Sequence, residues 1–295
     1  METKNYNIGY IECDIDILRE NQMNILKQAK KQCDYLIVGI LDNQFVEKTK
    51  GKTPIFSFDD RCSLISALKF VDKIIPVISK SKEEQIKLIL DNNINVVFVD
   101  EILEKNRHWK SIENDLLKHN CHLQFIATQE IDNLEKEANA KIDSNTLANL
   151  KKSNSTKYRL GYTTGVFDLF HIGHLNIIKE AKKKCDYLIV GVSTDEVVES
   201  YKHKTPIISF EERAAILNDL KYVDFVVPQT SLNKMDAWEK LKFDVMFHGS
   251  DWKDSTMYNK IIEEFSKVNV DVVFLNHTDG ISSTQLSSQI KKRDK

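Results

Sequence analysis

The chain contains itself twice, which restricts it to folds whose copies can be laid end to end. Residues 29–39, AKKQCDYLIVG, return as residues 181–191, AKKKCDYLIVG, with ten of eleven positions identical at an offset of 152. The same offset pairs KTPIFSFDDR at 52–61 with KTPIISFEER at 204–213, and KFVDKIIP at 69–76 with KYVDFVVP at 221–228. It falls to 149 where 95–98 meets 244–247, so one loop differs in length between the copies. At 295 residues and 41% hydrophobic, the chain can fill two cores of ordinary size. The expected division is a first domain at 1–131, a linker at 132–157 and a second domain at 158–295. The linker is rich in Asn, Lys and Ser, with one expected helix near 134–141.

Each copy alternates short β-branched apolar runs with segments of helical period. That pattern predicts an α/β fold of two tandem, doubly wound parallel sheets. In the second copy, strands are expected at 159–167, 187–192, 225–227, 245–248 and 270–275. A net charge of −2 provides no global field for nucleic acid or an anionic membrane. The longest apolar runs are strand-sized, and neither a signal peptide nor a membrane span is visible. The five cysteines, Cys13, Cys33, Cys62, Cys121 and Cys185, form no CxxC pair. Buried thiols in a reducing cytoplasm are therefore expected, not disulfides or a zinc site.

The chemistry concentrates in the second copy. Residues 161–196 read as strand, loop, helix and strand, with His171 and His174 at the helix start and Gly173 between them. That spacing puts both imidazoles on one face, about 4.5 Å apart along the axis. Free helix amides, two imidazoles and a bare backbone suit a polyphosphate. The first copy has Arg19, Asn21 and Gln22 in place of His171, Gly173 and His174, and Cys13 in place of Gly165. Its Asp16, Lys50, Lys52 and Arg61 match Asp168, Lys202, Lys204 and Arg213, whereas GSDW at 249–252 and TDGISST at 278–284 have no recognisable counterpart.

Two histidines, two lysines and an arginine around a helix start suit a reaction that accumulates negative charge on phosphorus. A phosphate monoester as nucleophile is already ionised and needs no general base. Plainer readings exist for each residue. A histidine there can be a cap, Lys202 and Lys204 a solvated loop, and Arg213 an ion-pair partner of Glu211 or Glu212. Trp252 can be core, and Ser282, Ser283 and Thr284 can cap the last helix. The loss of the histidine pair from an otherwise well-kept copy favours function for the pair.

GVFDLFHIGH, GSDW and TDGISST together resemble the cytidylyltransferase family, whose members carry GxFDxxHxGH, a GDDW-like turn and RTEGISTT. The likeness covers about residues 158–292 and is greatest to the bacterial glycerol-3-phosphate branch. It implies a Rossmann-like nucleotidyltransferase that joins CTP to a phosphorylated alcohol with Mg²⁺, releasing pyrophosphate and a CDP-alcohol. By position, it implies that His171 and His174 hold the CTP phosphates and the transition state, and that Lys202 and Lys204 clamp the phosphates of donor and acceptor. Asp168 would order the first loop. Thr164, Gly165, Phe167, Gly173, Gly249, Asp251, Thr278, Gly280, Ile281, Ser282, Ser283 and Thr284 would surround the nucleotide. Arg213, Trp252 and His277 would touch phosphate or acceptor, and the metal ligands stay open.

His277 stands where the family has arginine, and Ser250 where GDDW has its first aspartate. Family members dimerise through a segment like 222–226, and ethanolamine-phosphate members hold two such domains in one chain. The first copy is therefore expected to act as a built-in dimer partner. The competing readings are a sugar-phosphate adenylyltransferase, a phosphoethanolamine cytidylyltransferase and a nucleotide-binding scaffold without turnover. A class I aminoacyl-tRNA synthetase shares the HIGH tetrapeptide but needs a KMSKS-type loop and an anticodon domain, for which this chain has no room.

Overall fold

The structure is a computed structural model that describes residues 5–101, 107–127, 144–153, 155–253, 255–276, 278 and 280–293. Two compact units emerge, Met1–Leu134 and Glu135–Lys295. In the first, β1 (Tyr6–Cys13), β2 (Cys33–Leu41), β3 (Lys73–Val77), β4 (Val96–Asp100) and β5 (His122–Ile126) form a parallel sheet in the order β3-β2-β1-β4-β5. Its helices are α1 (Glu20–Gln32), α2 (Asn43–Lys50), α3 (Phe58–Ser66), α4 (Lys82–Asp91) and α5 (Arg107–Lys118).

The second unit begins with a short helix α6 (Ser144–Ala148) and then repeats the plan. Strands β6 (Tyr158–Gly165), β7 (Cys185–Ser193), β8 (Phe225–Gln229), β9 (Val245–Gly249) and β10 (Asp271–Leu275) pair in parallel as β10-β9-β6-β7-β8. Helices α7 (Ile172–Lys182), α8 (Asp195–Lys202), α9 (Phe210–Asn218), α10 (Lys234–Leu241), α11 (Thr256–Ser266) and α12 (Ser283–Arg293) accompany them. The strand order reverses between β6 and β9, and in open sheets of this kind the crevice outside that point is where ligands bind.

The central strands are apolar without alternation because helices cover both faces. Residues 36–41 of β2 and 188–193 of β7 are buried throughout. The registers repeat as well: Tyr6 lies opposite Cys33 and Tyr158 opposite Cys185. At Gly161 a side-chain carbon would lie 2.6 Å from the Phe247 ring and 2.7 Å from Cys185 Sγ, so this approach of strands and rings needs glycine. Gly9 meets Phe98 and Cys33 in the same way.

One aspartate closes each unit's first crossover. Asp224 accepts from the Leu188 N–H at 2.7 Å and from Lys182 Nζ at 2.6 Å; Asp72 does the same for Leu36 and Lys30. Val223 beside it is buried. Two residues of the 222–226 segment, assigned by resemblance to dimer contacts, are thus engaged within their own unit.

The expected linker needs correction. Leu147 is 4% exposed within the core that contains Tyr162 and Phe243, and its carbonyl accepts from Arg159 at 2.7 Å. Ser153 and Thr156 then hydrogen-bond to Asp186. Two leucines in a polar stretch supply the anchor, so residues 144–153 and 155–157 belong to the second unit. The helix expected at 134–141 lies outside the described residues. β6 also ends at Gly165, not 167, because Phe167 and Leu169 turn left-handed at φ 56° and 49°. Among the described residues no helix is long and apolar enough to cross a membrane.

Replacing Asp224 by Ala strands the Leu188 amide and frees Lys182. The expected loss is about 1–3 kcal/mol of stability, read as a lower urea midpoint. An unchanged midpoint would mean that water replaces the carboxylate at no cost.

Candidate active site

The loop from Val166 to Phe170 carries the strand into α7, and two of its residues take a backbone conformation that most side chains avoid. Ile15 and Ile17 occupy the corresponding positions of the first unit, and neither has a positive φ. A β-branched side chain is especially costly in that region, so the first unit's sequence is suited to a different loop. In the second unit the turn packs the Phe167 ring 5.3 Å from that of His174 and the Phe170 ring 5.6 Å from it.

His171 is the N-cap of α7, and its Nδ1 accepts from the Gly173 N–H at 3.1 Å. That bond leaves Nε2 as the proton-bearing nitrogen of the neutral ring. The imidazoles of His171 and His174 stack with centroids 3.8 Å apart and planes 27° apart. His171 is only 5% exposed, so it acts from inside a helix start. Gly173 has two close neighbours: a side-chain carbon there would lie 3.0 Å from the His171 ring and 3.4 Å from Ile281. A bare backbone therefore admits the last loop against α7.

Other contacts bring the distant motifs together. Asp168 accepts from the N–H groups of Ile207 and Ile208, both at 3.0 Å, which draws the loop after α8 toward the loop before α7. The Asp168 carbonyl accepts from Ser283 Oγ at 2.8 Å, and Asn176 donates to Thr278 Oγ1 at 3.0 Å. Ser282 caps α12 through the Gln285 N–H at 3.3 Å, Thr284 is exposed in the first turn of that helix, and Gly280 is exposed in the turn before it. The GVFDLFHIGH and TDGISST motifs are thus neighbours.

Lys202 ends α8, His203 follows in a left-handed cap, and Lys204 is exposed beyond it. Burial and then the nearby Lys204 charge lower the Lys202 pKa, against the pull of Asp168. Lys202 therefore lies in the field of both residues. Gly249 closes β9, Asp251 folds back over it in the 3₁₀ turn Ser250–Trp252, and Trp252 packs on His248 and Tyr258 while 40% exposed. His277 lies outside the described residues.

Arg213 requires correction as a phosphate or substrate ligand. Its side chain has no exposure, and its nitrogens bond to the Ile208 carbonyl (3.0 Å), the Val166 carbonyl and Asp195 (2.5 Å). The carboxylate is Asp195, not Glu211 or Glu212. Thr164 turns its hydroxyl to Gln229, which Ser193 also contacts at 3.2 Å. Sequence reading missed Gln229 and Asn176, which hold Thr164 and Thr278. Gln229 and Asn176 were legible only as polar residues in apolar segments.

The corresponding region of the first unit is a cleft of about 410 Å³ bordered by Cys13, Asn21 and Gln22. Lys50 pairs there with Asp14, and Lys80 with Glu12 at 2.8 Å. Its lysines are answered by the chain's own carboxylates.

The cytidylyltransferase-like family model matches residues 19–156 and 162–289. This chain belongs to the cytidylyltransferase-like family. The glycerol-3-phosphate cytidylyltransferase of Staphylococcus aureus is 35% identical over 133 residues, 45% of this chain and 95% of that one. A probable ethanolamine-phosphate cytidylyltransferase of Encephalitozoon cuniculi is 25% identical over 272 residues, 83% of this chain and 82% of that one. The bifunctional protein HldE of Helicobacter hepaticus is 31% identical over 180 residues, 59% of this chain but 35% of that one. The protein is thus a cytidylyltransferase-type enzyme whose histidine pair lies in the second of two like domains.

Arg213→Lys in this cytidylyltransferase keeps the charge but not the three-way bonding. It is expected to cost about 3 kcal/mol of stability, with KM for the nucleotide little changed in the folded fraction. A variant of native stability with a raised KM would return Arg213 to the ligand set.

Proposed function

We propose that the second unit transfers CMP from CTP to a small phosphorylated alcohol, most specifically glycerol 3-phosphate or a related polyol phosphate. An acceptor phosphate oxygen attacks the α-phosphorus in line, the bond to the α–β bridging oxygen breaks, and pyrophosphate departs with that electron pair. The observation that carries the proposal is the stacked His171–His174 pair at the start of α7. The Lys202–Lys204 loop and the start of α12 are tied to the same turn through Asp168.

In this reading, His171 donates from Nε2 to a phosphate oxygen, with its ring held by the Gly173 amide. His174 shares the same face. Lys202 and Lys204 meet the charge that spreads over donor and acceptor phosphates, and the amides opening α7 and α12 add fixed dipoles. Magnesium supplies charge neutralisation when it accompanies the triphosphate. Among the described residues no three His, Cys, Asp or Glu side chains converge as a metal cage.

Phosphoethanolamine is the second acceptor to weigh, because the Encephalitozoon relative spans both units whereas the Staphylococcus relative matches less than half of this chain. An adenylyl donor has weaker support, since the HldE likeness covers about a third of that protein.

The test is pyrophosphate release with Mg²⁺ and CTP or ATP against a panel of phosphorylated alcohols. CTP-dependent release with one acceptor is expected. His171→Ala should lower kcat by about a hundredfold to a thousandfold with the circular dichroism spectrum preserved, and retained turnover would sink the proposed role. Gly173→Ala crowds the His171 ring and should lower kcat by about tenfold to a hundredfold. Unchanged kcat there would show that the ring has room to yield.

A further inference from the structure

The cleft of the first unit has a chemistry of its own. It opens where that sheet reverses its strand order, between the carboxyl ends of β1 and β4. Its volume of about 410 Å³ falls in the range of roughly 300–1,000 Å³ usual for small-molecule sites. Part of the lining is apolar, from Ile25, Leu26, Phe98 and Trp109. The rest carries three carboxylates, Glu12, Asp14 and Asp100, and two lysines, Lys50 and Lys80.

Glu12 is the fixed point of that lining. Its side chain is 7% exposed, and Tyr10 and Gln85 both donate to Oε1 at 3.2 Å. Lys80 Nζ lies 2.8 Å from Oε2 as an ion pair without hydrogen-bonding geometry, so Oε2 is buried with acceptor capacity to spare. The side-chain oxygen of Gln22, which stands where the second unit has His174, is likewise buried with no hydrogen-bond partner among the described residues. Open buried acceptors are costly, and a ligand that brings N–H or O–H groups relieves them. Phosphate does the opposite. A triphosphate entering here would have to break the Lys50–Asp14 and Lys80–Glu12 pairs and would still face one more carboxylate than ammonium group. In the second unit Thr164 and Gly249 stand in place of Glu12 and Asp100, so no carboxylate occupies either position.

We infer that the cleft of the first unit binds an uncharged nucleoside, with its flat ring on the apolar lining and its hydroxyl or amino groups on Glu12 and Gln22. Hydroxyl and amino groups supply the donors that the two open oxygens lack. A small polyol would satisfy those oxygens but leave the apolar lining against water. A nucleotide would bring charge that the carboxylates repel. This site belongs to the unit without the histidine pair, and the inference does not depend on the cytidylyl-transfer reading.

The test is calorimetric titration of the full chain with cytidine in the presence of excess CTP and Mg²⁺, with glycerol and ethanolamine titrated in parallel. Cytidine is expected to bind at a single site that CTP does not compete for, and neither small alcohol should bind there. Ile25→Trp, which fills the cleft, should abolish cytidine binding. Gln22→Leu, which removes one open oxygen without adding bulk, should weaken cytidine about tenfold, and it remains a test should the larger side chain unfold the unit. No cytidine binding, or binding that CTP displaces, overturns the inference. So does glycerol or ethanolamine binding in place of cytidine, or a cytidine affinity unmoved in Gln22→Leu with a native melting curve.

Discussion

The carboxylate of Asp168 takes the amides of Ile207 and Ile208, and the arrangement of the site rests on those two hydrogen bonds. They join a loop that opens α7 to one that precedes α9, forty residues on. The same residue's carbonyl holds Ser283 at the head of α12. With three chain segments converging on one residue, the turn can keep Phe167 and Leu169 left-handed at a cost of about 1–3 kcal/mol each. The stacked imidazoles sit at the end of that turn. Asp16 makes the equivalent bonds to Ile55 and Phe56 in the first unit, which has no histidines there. The clamp is therefore part of the fold, and the site is an addition to it.

The two units share what holds the fold and differ at the histidine pair. Asp72 and Asp224, Gly9 and Gly161, and the Tyr–Cys registers are kept in both. The buried arginine marks the transition. Arg213 meets a carboxylate at Asp195, while Arg61 meets the neutral Asn43 and the Leu41 carbonyl. In the first cleft, ion pairs within the chain answer the lysines. In the second unit, burial and the Lys204 charge lower the Lys202 pKa while Asp168 raises it.

Much of the fold was legible because a repeat of this length carries its own alignment, and because fully buried parallel strands leave unbroken apolar runs such as 188–192. The histidine pair was legible through contrast between copies. What escaped was of two kinds. Arg213 reads as a phosphate ligand or as an ion-pair partner of Glu211 or Glu212, but helix geometry turns it inward to Asp195, eighteen residues back, and adjacency in sequence says nothing of that. The strand end at Gly165 was missed because apolar Phe167 and Leu169 continue the strand pattern while their backbones leave it.

Residues 144–153 and 155–157 look like connecting chain, yet Leu147 fills the layer between β6 and α10, and Asp186 gathers Ser153 and Thr156. Anyone dissecting this protein would be led by composition to cut near 158. Such a fragment would carry an open slot beside Tyr162 and a surplus of exposed apolar surface, and would tend to self-associate for reasons unrelated to biology. A cut upstream of Ser144 keeps the slot filled by its own leucine, so the useful border between the units lies within the polar stretch before it.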